Sequence, residues 1–257
     1  MNNKVVVNLE NVSMKYHSLE GETPAINNIS FKVNEGEFIG IVGPSGCGKT
    51  TILSLIAGLI KPTTGQVLVY GKKVQGPSTS VGYMLQQDHL FEWRNIMQNA
   101  LLGLEIRGKV NEDSKRKVER LLETYGLGEF KKHYPDQLSG GMRQRAALIR
   151  TLAIDPKILL LDEPFCALDY QTRLVMSDEV STIIRKEGKT ALLVTHDISE
   201  AISMADRVIV LSERPATIKN IHEIQLTSED NNPISRRQAP EFRQYFNAIW
   251  KELDVHV

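Results

Sequence analysis

The chain has 257 residues, of which 41% are hydrophobic and 24% charged, an ordinary composition for a globular protein. Its 31 basic and 31 acidic residues leave no net charge, so no overall basic field favours nucleic acid. No run approaches the roughly 18 apolar residues of a membrane span, the N-terminus lacks a signal-peptide pattern, and two cysteines imply no disulfide framework. We therefore expect a cytoplasmic protein of one large domain or two modest ones.

The N-terminal part favours two strands. Residues 5–9 and 29–33 have the composition of strands, and the polar stretch 18–24 between them contains Gly and Pro, which is typical of a loop. Tyr16 comes at the end of the first strand. It is either a surface aromatic of an edge strand or a ring that stacks on an adenine face, and its position alone leaves both open.

A buried strand at residues 38–42 leads into a glycine-rich octapeptide, residues 43–50, and then into apolar residues at helical spacing. The octapeptide fits Gly-x-x-x-x-Gly-Lys-[Ser/Thr] in the strand–loop–helix setting that binds phosphate. Its backbone N–H groups and the helix N-terminus favour an anion. Lys49 would reach the β- and γ-phosphates, and the Thr50 hydroxyl would ligate Mg²⁺. The predicted nucleotide-binding residues of this region are Gly43, Pro44, Ser45, Gly46, Cys47, Gly48, Lys49, Thr50 and Thr51. Cys47 either has a lowered pKa at this position or is a small residue in a tight loop.

Further polar residues follow the ends of predicted strands. The strand at residues 81–85 runs into Gln86, whose amide would lie at the sheet edge where α/β proteins bind ligands and could contact water or Mg²⁺. The strand at residues 158–162 ends in Asp162, placed to hold Mg²⁺, and Glu163, which can accept a proton from an attacking water. The alternative for this pair is an exposed acidic turn.

The strand at residues 191–195 is followed by His196. A lone histidine is usually structural, but this one is the third polar residue at one sheet edge. An imidazole there can contact the γ-phosphate or orient the water.

Residues 95–137 favour helices rather than strands, with one helix starting at Asn111 and closing at Gly126. The sequence Leu-Ser-Gly-Gly at residues 138–141 begins the next helix, with Ser139 as N-cap. Gly140 and Gly141 would weaken that helix by about 1 kcal/mol each. We interpret them as a second place where the backbone approaches a phosphate. The composition turns polar after residue 214, through residues 228–233. A last helix, starting at Pro240, carries an apolar stripe that is either core cover or a partner surface, formed by Phe242, Tyr245, Phe246, Ile249 and Trp250.

These motifs, in this order, resemble the ATP-binding subunits of ABC transporters over nearly the whole chain. They correspond to Walker A at residues 43–50, the signature at 138–141, Walker B with its glutamate, the D-loop and the switch histidine. By this resemblance Gln86 is the Q-loop glutamine, Tyr16 the aromatic of the A-loop and Asp169 the D-loop aspartate. Met142 stands where the signature usually has Gln. Residues 88–94 and the C-terminal ending resemble importers of nitrate, sulfonate, taurine and related solutes.

The resemblance implies an α/β P-loop NTPase with a mainly parallel core sheet, an N-terminal antiparallel β subdomain and an α-helical subdomain. Residues 1–257 would form a single ABC ATPase domain. Residues 1–94 and 156–215 would form the nucleotide-binding core, residues 95–155 the helical subdomain with the signature, and residues 216–257 a C-terminal extension and helix.

The resemblance also implies ATP and Mg²⁺ as cofactors and a head-to-tail dimer of two copies. Each ATP would lie between the Walker A loop of one copy and Ser139, Gly140 and Gly141 of the other, near Asp169. Mg²⁺ would be held by Thr50, Gln86 and Asp162, and hydrolysis would involve Glu163, His196 and Gln86.

The implied partners are integral-membrane permease subunits and, indirectly, an extracytoplasmic substrate-binding protein, but no nucleic acid. The chain would lie peripherally on the cytoplasmic face of the membrane. One alternative is a soluble ABC ATPase that acts on nucleic acid or ribosomes. Another is a P-loop nucleotide kinase, which would leave the signature helix and His196 unexplained.

Overall fold

The computed structural model describes residues 4–18, 21–228, 230 and 232–253. The strands in chain order are β1 (Val5–Ser18), β2 (Gly21–Asn34), β3 (Phe38–Val42), β4 (Thr64–Val69), β5 (Lys72–Lys73), β6 (Val81–Met84), β7 (Ile158–Asp162), β8 (Thr190–Val194), β9 (Arg207–Leu211) and β10 (Ile218–Glu223). The α-helices are α1 (Lys49–Ala57), α2 (Ile96–Ile106), α3 (Glu112–Thr124), α4 (Gly140–Ala153), α5 (Tyr170–Lys186), α6 (Ile198–Met204), α7 (Pro233–Arg237) and α8 (Phe242–Leu253).

The strands form two sheets. The first is antiparallel, in the order β2-β1-β4-β5, and the second has the order β10-β9-β3-β8-β7-β6. In the second sheet every neighbouring pair is parallel except β10 with β9. The carboxyl ends of β3, β6, β7 and β8 therefore meet at one edge, where open α/β sheets bind ligands.

The parallel sheet separates two hydrophobic cores. Strands β3, β7 and β8 are buried along their whole length, and successive side chains of a strand point to opposite faces. In β3, Ile39 and Ile41 pack with α1 and the antiparallel sheet, whereas Phe38 and Val42 pack with the helical layer. Helix α1 thus lies between the two sheets and holds the loop that precedes it.

Side-chain caps start the helices that bear on the candidate site. The cap residue accepts a hydrogen bond from a backbone N–H of the first turn, which satisfies one of the donors left free at a helix start. The capping residues are Asn95 for α2, Asn111 for α3, Ser139 for α4, Asp169 for α5 and Asp197 for α6.

The α/β class with a mainly parallel sheet, an antiparallel sheet and helices is confirmed, as are the N-caps expected at Asn111 and Ser139. The predicted loop at residues 18–24 is wrong. Strands β1 and β2 pair as far as Ser18 with Gly21, and residues 19 and 20 lie outside the described part. Residues 15–17 and 21–24 at these strand ends are exposed and show no alternation of apolar and polar residues. Backbone pairing and the ion pair of Lys15 with Glu22 stabilise the strands there.

The C-terminal part differs from its predicted form in two ways. The edge strand β10 and the short helix α7 were not predicted, and α8 begins at Phe242 rather than Pro240. In the apolar stripe of α8, Ile249 is fully buried, but Trp250 is 54% exposed and stacks on Phe246. Residues 229 and 231 of the polar stretch lie outside the described part, as do residues 1–3, where no signal peptide is expected.

Among the described residues, no helix combines the length and the apolar character needed to cross a membrane.

Candidate active site

A cleft of about 280 Å³ lies at the carboxyl edge of the parallel sheet. Its lining combines the loop between β3 and α1, the start of α1 and residues that follow β6 and β7. The lining residues are Ser45, Gly46, Gly48, Lys49, Thr50, Thr51, Gln86 and Glu163. Residues that are far apart in the sequence thus share one site because parallel strands end at the same edge.

The loop before α1 requires glycine at Gly48. This residue has φ of 122°, and a Cβ atom there would lie 3.0 Å from the carbonyl oxygen of Ala25. The backbone at this position can therefore turn into α1 only without a side chain. The first residues of α1, Lys49 to Thr51, line the cleft, and this helix start has no side-chain cap, which is a usual setting for an anion.

The Lys49 side chain is almost buried, at 7% exposure. Its Nζ donates hydrogen bonds to the carbonyl oxygens of Gly43 at 2.8 Å and Pro44 at 2.9 Å. A positive charge is therefore fixed inside the loop, next to the backbone N–H groups. Burial raises the pKa of the neighbouring Cys47 thiol, against the lowering effect of Lys49. Of the two alternatives for Cys47, the lowered pKa is therefore wrong, and the 1% exposure of this residue agrees with a small side chain in a tight loop.

Asp162 lies at the end of β7 with 1% exposure and two hydroxyl partners. Thr50 donates to Oδ1 at 3.2 Å, and Tyr83 donates to Oδ2 at 3.2 Å. Burial raises the pKa of Asp162, while these two hydrogen bonds lower it. Carboxylate and hydroxyl oxygens are ligands that Mg²⁺ accepts, and Mg²⁺ is usually bound through one or two carboxylates together with substrate phosphates. Asp162 and the Thr50 hydroxyl that bonds it, together with Gln86 of the cleft lining, therefore fit a magnesium ion.

Glu163 contacts the other two polar residues of the sheet edge, Gln86 and His196. Gln86 Nε2 donates to Glu163 Oε2 at 3.1 Å, and His196 Nδ1 lies 3.5 Å from the same oxygen. The backbone of Glu163 has φ of 48°, and its N–H donates to the carbonyl oxygen of Val194 at 2.9 Å. This arrangement presents a carboxylate to the cleft with an amide and an imidazole beside it, the elements needed to orient and deprotonate a water.

Tyr16 lies beside the cleft, where its hydroxyl is 3.1 Å from Thr51 Oγ1. The ring is 41% exposed, so one face is open to a flat ligand. The sequence predicted Tyr16 at the end of the first strand, whereas β1 continues for two residues beyond it, to Ser18.

The remaining predicted site residues lie away from this cleft. Ser139 and Gly140 are exposed at the start of α4, and Asp169 is exposed at the start of α5. None of them, nor Gly141, is among the residues that line the cleft. A Cβ atom at Gly140 would meet nothing within 4 Å, whereas one at Gly141 would lie 2.7 Å from Leu168 Cδ2. Packing within the chain therefore accounts for Gly141 but not for Gly140.

Sequence reasoning missed two residues of the site. Tyr83 bonds Asp162 from the neighbouring strand, and Gln144 Nε2 donates to the carbonyl oxygen of Gln86 at 3.4 Å. The pairing of β6 with β7 sets the first contact and the packing of α4 the second. Neither contact can be predicted from a motif or a residue spacing in the sequence.

The sequence matches the ABC transporter family over residues 26–166. It is 48% identical to an uncharacterized ABC transporter ATP-binding protein, YtlC of Bacillus subtilis, over 96% of this chain and 95% of that protein. It is 36% identical to the taurine import ATP-binding protein TauB of Roseobacter denitrificans, covering 95% and 94% of the two chains. It is 41% identical to the nitrate import ATP-binding protein NrtD of Synechocystis, covering 89% and 88%.

A solved structure of the ATP-binding cassette MJ0796, a dimer in a post-hydrolysis state bound to ADP and Pi, is similar with a TM-score of 0.77. The two sequences are 33% identical, and the match covers 85% of this chain and 99% of the other.

Proposed function

Because the chain belongs to the ABC transporter family, we propose that it is the ATP-hydrolysing subunit of an importer for a small solute of the nitrate, sulfonate or taurine type. As an ABC ATPase it converts ATP and water to ADP and phosphate. The observation that supports this activity most directly is the contact of Glu163 with Gln86 and His196 beside the Lys49 cleft. The importer assignment is supported by full-length similarity to the taurine and nitrate import proteins.

The cleft residues divide the work of hydrolysis. Lys49 and the loop N–H groups bind the β- and γ-phosphates, and Tyr16 stacks on the adenine. Glu163 accepts a proton from the attacking water, while Gln86 and His196 hold water and phosphate in line. Bound Mg²⁺ neutralises charge on the phosphates, and Thr50, Asp162 and Gln86 are the residues that would hold it.

Two copies complete each nucleotide site. Ser139, Gly140 and Asp169 are exposed and Gly141 is half-buried, and none of the four lines the cleft of its own chain, which suits contact with the nucleotide bound by a second copy. Gly140 supports this because its missing side chain has no explanation within the chain. The dimeric state of the similar MJ0796 cassette agrees with such an assembly.

The permease would dock on residues 86–94, which we call the docking segment. Phe91 and Trp93 stack there with ring centroids 4.8 Å apart, and Trp93 is 73% exposed. The segment joins the cleft at Gln86 to the helical unit, so movement on either side reaches the other. We assign residues 1–94 and 156–215 to the nucleotide-binding core, 95–155 to the helical unit and 216–257 to a C-terminal extension.

The docking assignment is tested by isolating the tagged chain from detergent-solubilised membranes of its host. The native chain should carry permease subunits with it, and Trp93→Ala should lose most of them because aromatic anchors dominate interfaces. Trp250→Ala is the matched control, since Trp250 is also exposed and stacked on a phenylalanine, but on α8.

Other outcomes of this isolation would contradict the proposal. If Trp250→Ala and not Trp93→Ala loses the permease, the C-terminal helix is the docking surface. Recovery of soluble or ribosomal partners alone would favour a soluble ABC ATPase instead. The substrate-binding protein that serves a recovered permease, titrated with nitrate, taurine and alkanesulfonates, would identify the solute.

A further inference from the structure

Arg173, in the first turn of α5, joins two segments that follow catalytic candidates. Its Nη2 donates to the carbonyl oxygen of Leu168 at 3.2 Å, and its Nη1 lies 3.5 Å from Asp197 Oδ2. Leu168 follows Glu163 by five residues, and Asp197 is the residue after His196. One guanidinium therefore bridges the chain beyond Glu163 and the chain beyond His196.

Asp197 links Arg173 to the backbone next to His196. Its Oδ1 accepts the N–H of Glu200 at 3.1 Å and so caps α6, and its own N–H donates to Thr195 Oγ1 at 3.0 Å. An ionised carboxylate has two oxygens that accept separately, so Oδ2 is left to face Arg173. Three contacts thus fix the residue that follows His196.

The ion pair of Arg173 with Asp197 is mostly shielded from solvent. Its side chain is only 23% exposed and that of Asp197 27%. The charge of Arg173 also acts on the buried Glu200, where it lowers the pKa of the carboxyl against the larger effect of burial. The planar guanidinium can serve a carbonyl and a carboxylate at once, which a lysine ammonium on a flexible stem does less well.

We propose that Arg173 is a positioning residue for ATP hydrolysis. By holding the Leu168 carbonyl and Asp197 together, it keeps His196 Nδ1 at 3.5 Å from Glu163 Oε2. The proposal rests on the catalytic roles proposed for Glu163 and His196.

Arg185 provides a matched control on the same helix. Its Nη2 donates to the carbonyl oxygen of Met204 at 2.8 Å and lies 3.0 Å from Asp206 Oδ1, and its side chain is also 23% exposed. It therefore joins the carboxyl ends of α5 and α6 by the same two kinds of contact. No contact of Arg185 reaches Glu163 or His196 among those described.

The experiment compares Arg173→Gln with Arg185→Gln in steady-state ATP hydrolysis and in denaturant unfolding. Arg173→Gln should lower kcat about ten-fold or more, because small misplacements of catalytic groups are costly. KM for ATP should stay within about two-fold, since nucleotide binding does not involve Arg173. Arg185→Gln should lose comparable stability and keep the native kcat. Arg173→Lys should recover little of the kcat that Arg173→Gln loses.

Asp197→Asn tests the route through Asp197 because asparagine still caps a helix but carries no charge. Its kcat should fall, and the double variant Arg173→Gln/Asp197→Asn should be no slower than the slower single variant. Multiplicative losses, or equal kcat for Arg173→Gln and Arg185→Gln, would overturn the proposal.

Glu163→Gln separates this result from the proposed function. If Glu163→Gln abolishes hydrolysis while Arg173→Gln is as fast as the native chain, only the role of Arg173 fails. If Glu163→Gln still hydrolyses ATP at the native rate, the catalytic role of Glu163 fails and the Arg173 proposal falls with it.

Discussion

Glu163 occupies a backbone conformation that few residues other than glycine adopt. Its φ of 48° lies in the left-handed region, where a non-glycine residue costs about 1–3 kcal/mol. The hydrogen bond from its N–H to Val194 holds it there, at the junction of β7 and β8. The conformation turns the carboxylate away from the direction of β7 and toward Gln86 and His196. Stability is thus given up at the residue for which we propose the role of base in hydrolysis.

Glu200 is a buried acid that hydrolysis does not use. It is 3% exposed at the start of α6, and burial raises its pKa from 4.5 to about 7, against a hydrogen bond from Thr195 that lowers it. Asp197 adds to the rise, while Arg173 and Arg237 oppose it. In the unfolded chain the same carboxyl ionises near its ordinary pKa.

This shift predicts a pH-dependent stability. Because the folded pKa is raised, the contribution of Glu200 is fully present below about pH 4.5 and is lost as pH rises through about 7. The loss is up to about 3 kcal/mol. Glu200→Gln cannot ionise, so it should exceed the native chain in free energy of unfolding by about 1–3 kcal/mol at pH 8 and by little at pH 5. Denaturant unfolding at both pH values measures this, and an equal difference at both would contradict it.

At the scale of single elements, Asn99 of α2 organises the docking segment. Its side chain is fully buried, its Oδ1 accepts the N–H of Phe91, and its two N–H groups lie within hydrogen-bond distance of three carbonyl oxygens. Those acceptors are the carbonyl oxygens of Phe91, Arg94 and Asn95. One amide therefore replaces the regular backbone pairing that this loop lacks, and it supports the exposed Trp93.

Asn99→Ala should loosen the docking segment. Loss of these hydrogen bonds leaves backbone groups unpaired and should lower the free energy of unfolding by about 1–3 kcal/mol. Trypsin should then cleave after Arg94 faster than in the native chain, as peptide mapping of a limited digest would measure. Asn111→Ala is the control, because it removes the cap of α3 and leaves these bonds intact. Equal cleavage after Arg94 in both variants would contradict the role of Asn99.

The elements also show what the sequence could and could not predict. Strand β3, the loop at 43–50 and the start of α4 at Ser139 were predictable because each has a local signal: an apolar run, a glycine pattern or a capping residue. The exposed ends of β1 and β2 were not, because polar residues such as Lys15 and Glu22 pair there without any alternation.

Some residues of the candidate site could be predicted from the sequence, and some of its contacts could not. The residue types at strand ends indicated Gln86, Glu163 and His196, because parallel strands bring their carboxyl ends together. The contact of Arg173 with Asp197 was not predictable, because it depends on how α5 and α6 pack. Nor could the sequence predict the left-handed backbone of Glu163, which the neighbouring strand imposes.

At the scale of the whole molecule, the proposed head-to-tail dimer predicts that two inactive variants restore each other. Lys49→Ala damages the cleft of its own chain, whereas Gly140→Asp would repel the phosphates bound by the partner. An acidic residue at a helix start is itself favourable, and Gly140 has open space, so this variant should fold. A mixed dimer has one cleft with both changes and one with neither. The mixture should therefore hydrolyse ATP at least about ten-fold faster than either variant alone.

The control mixture combines Lys49→Ala with Glu163→Gln. Both residues line the same cleft of one chain, so every cleft of a mixed dimer carries one defect and the rate should stay at the level of the single variants. Recovery in both mixtures, or in neither, would be inconsistent with sites shared in this way.

The parallel sheet lies between two hydrophobic cores, one on each of its faces, and we call each core a compartment. Ile39 and Ile41 of β3 belong to one compartment, and Phe38 and Val42 to the other. A cavity made among the helices would weaken that compartment first, while α1 and the antiparallel sheet keep their own apolar contacts. A shift of the helical layer against the proposed permease would therefore leave the apolar contacts around α1 in place.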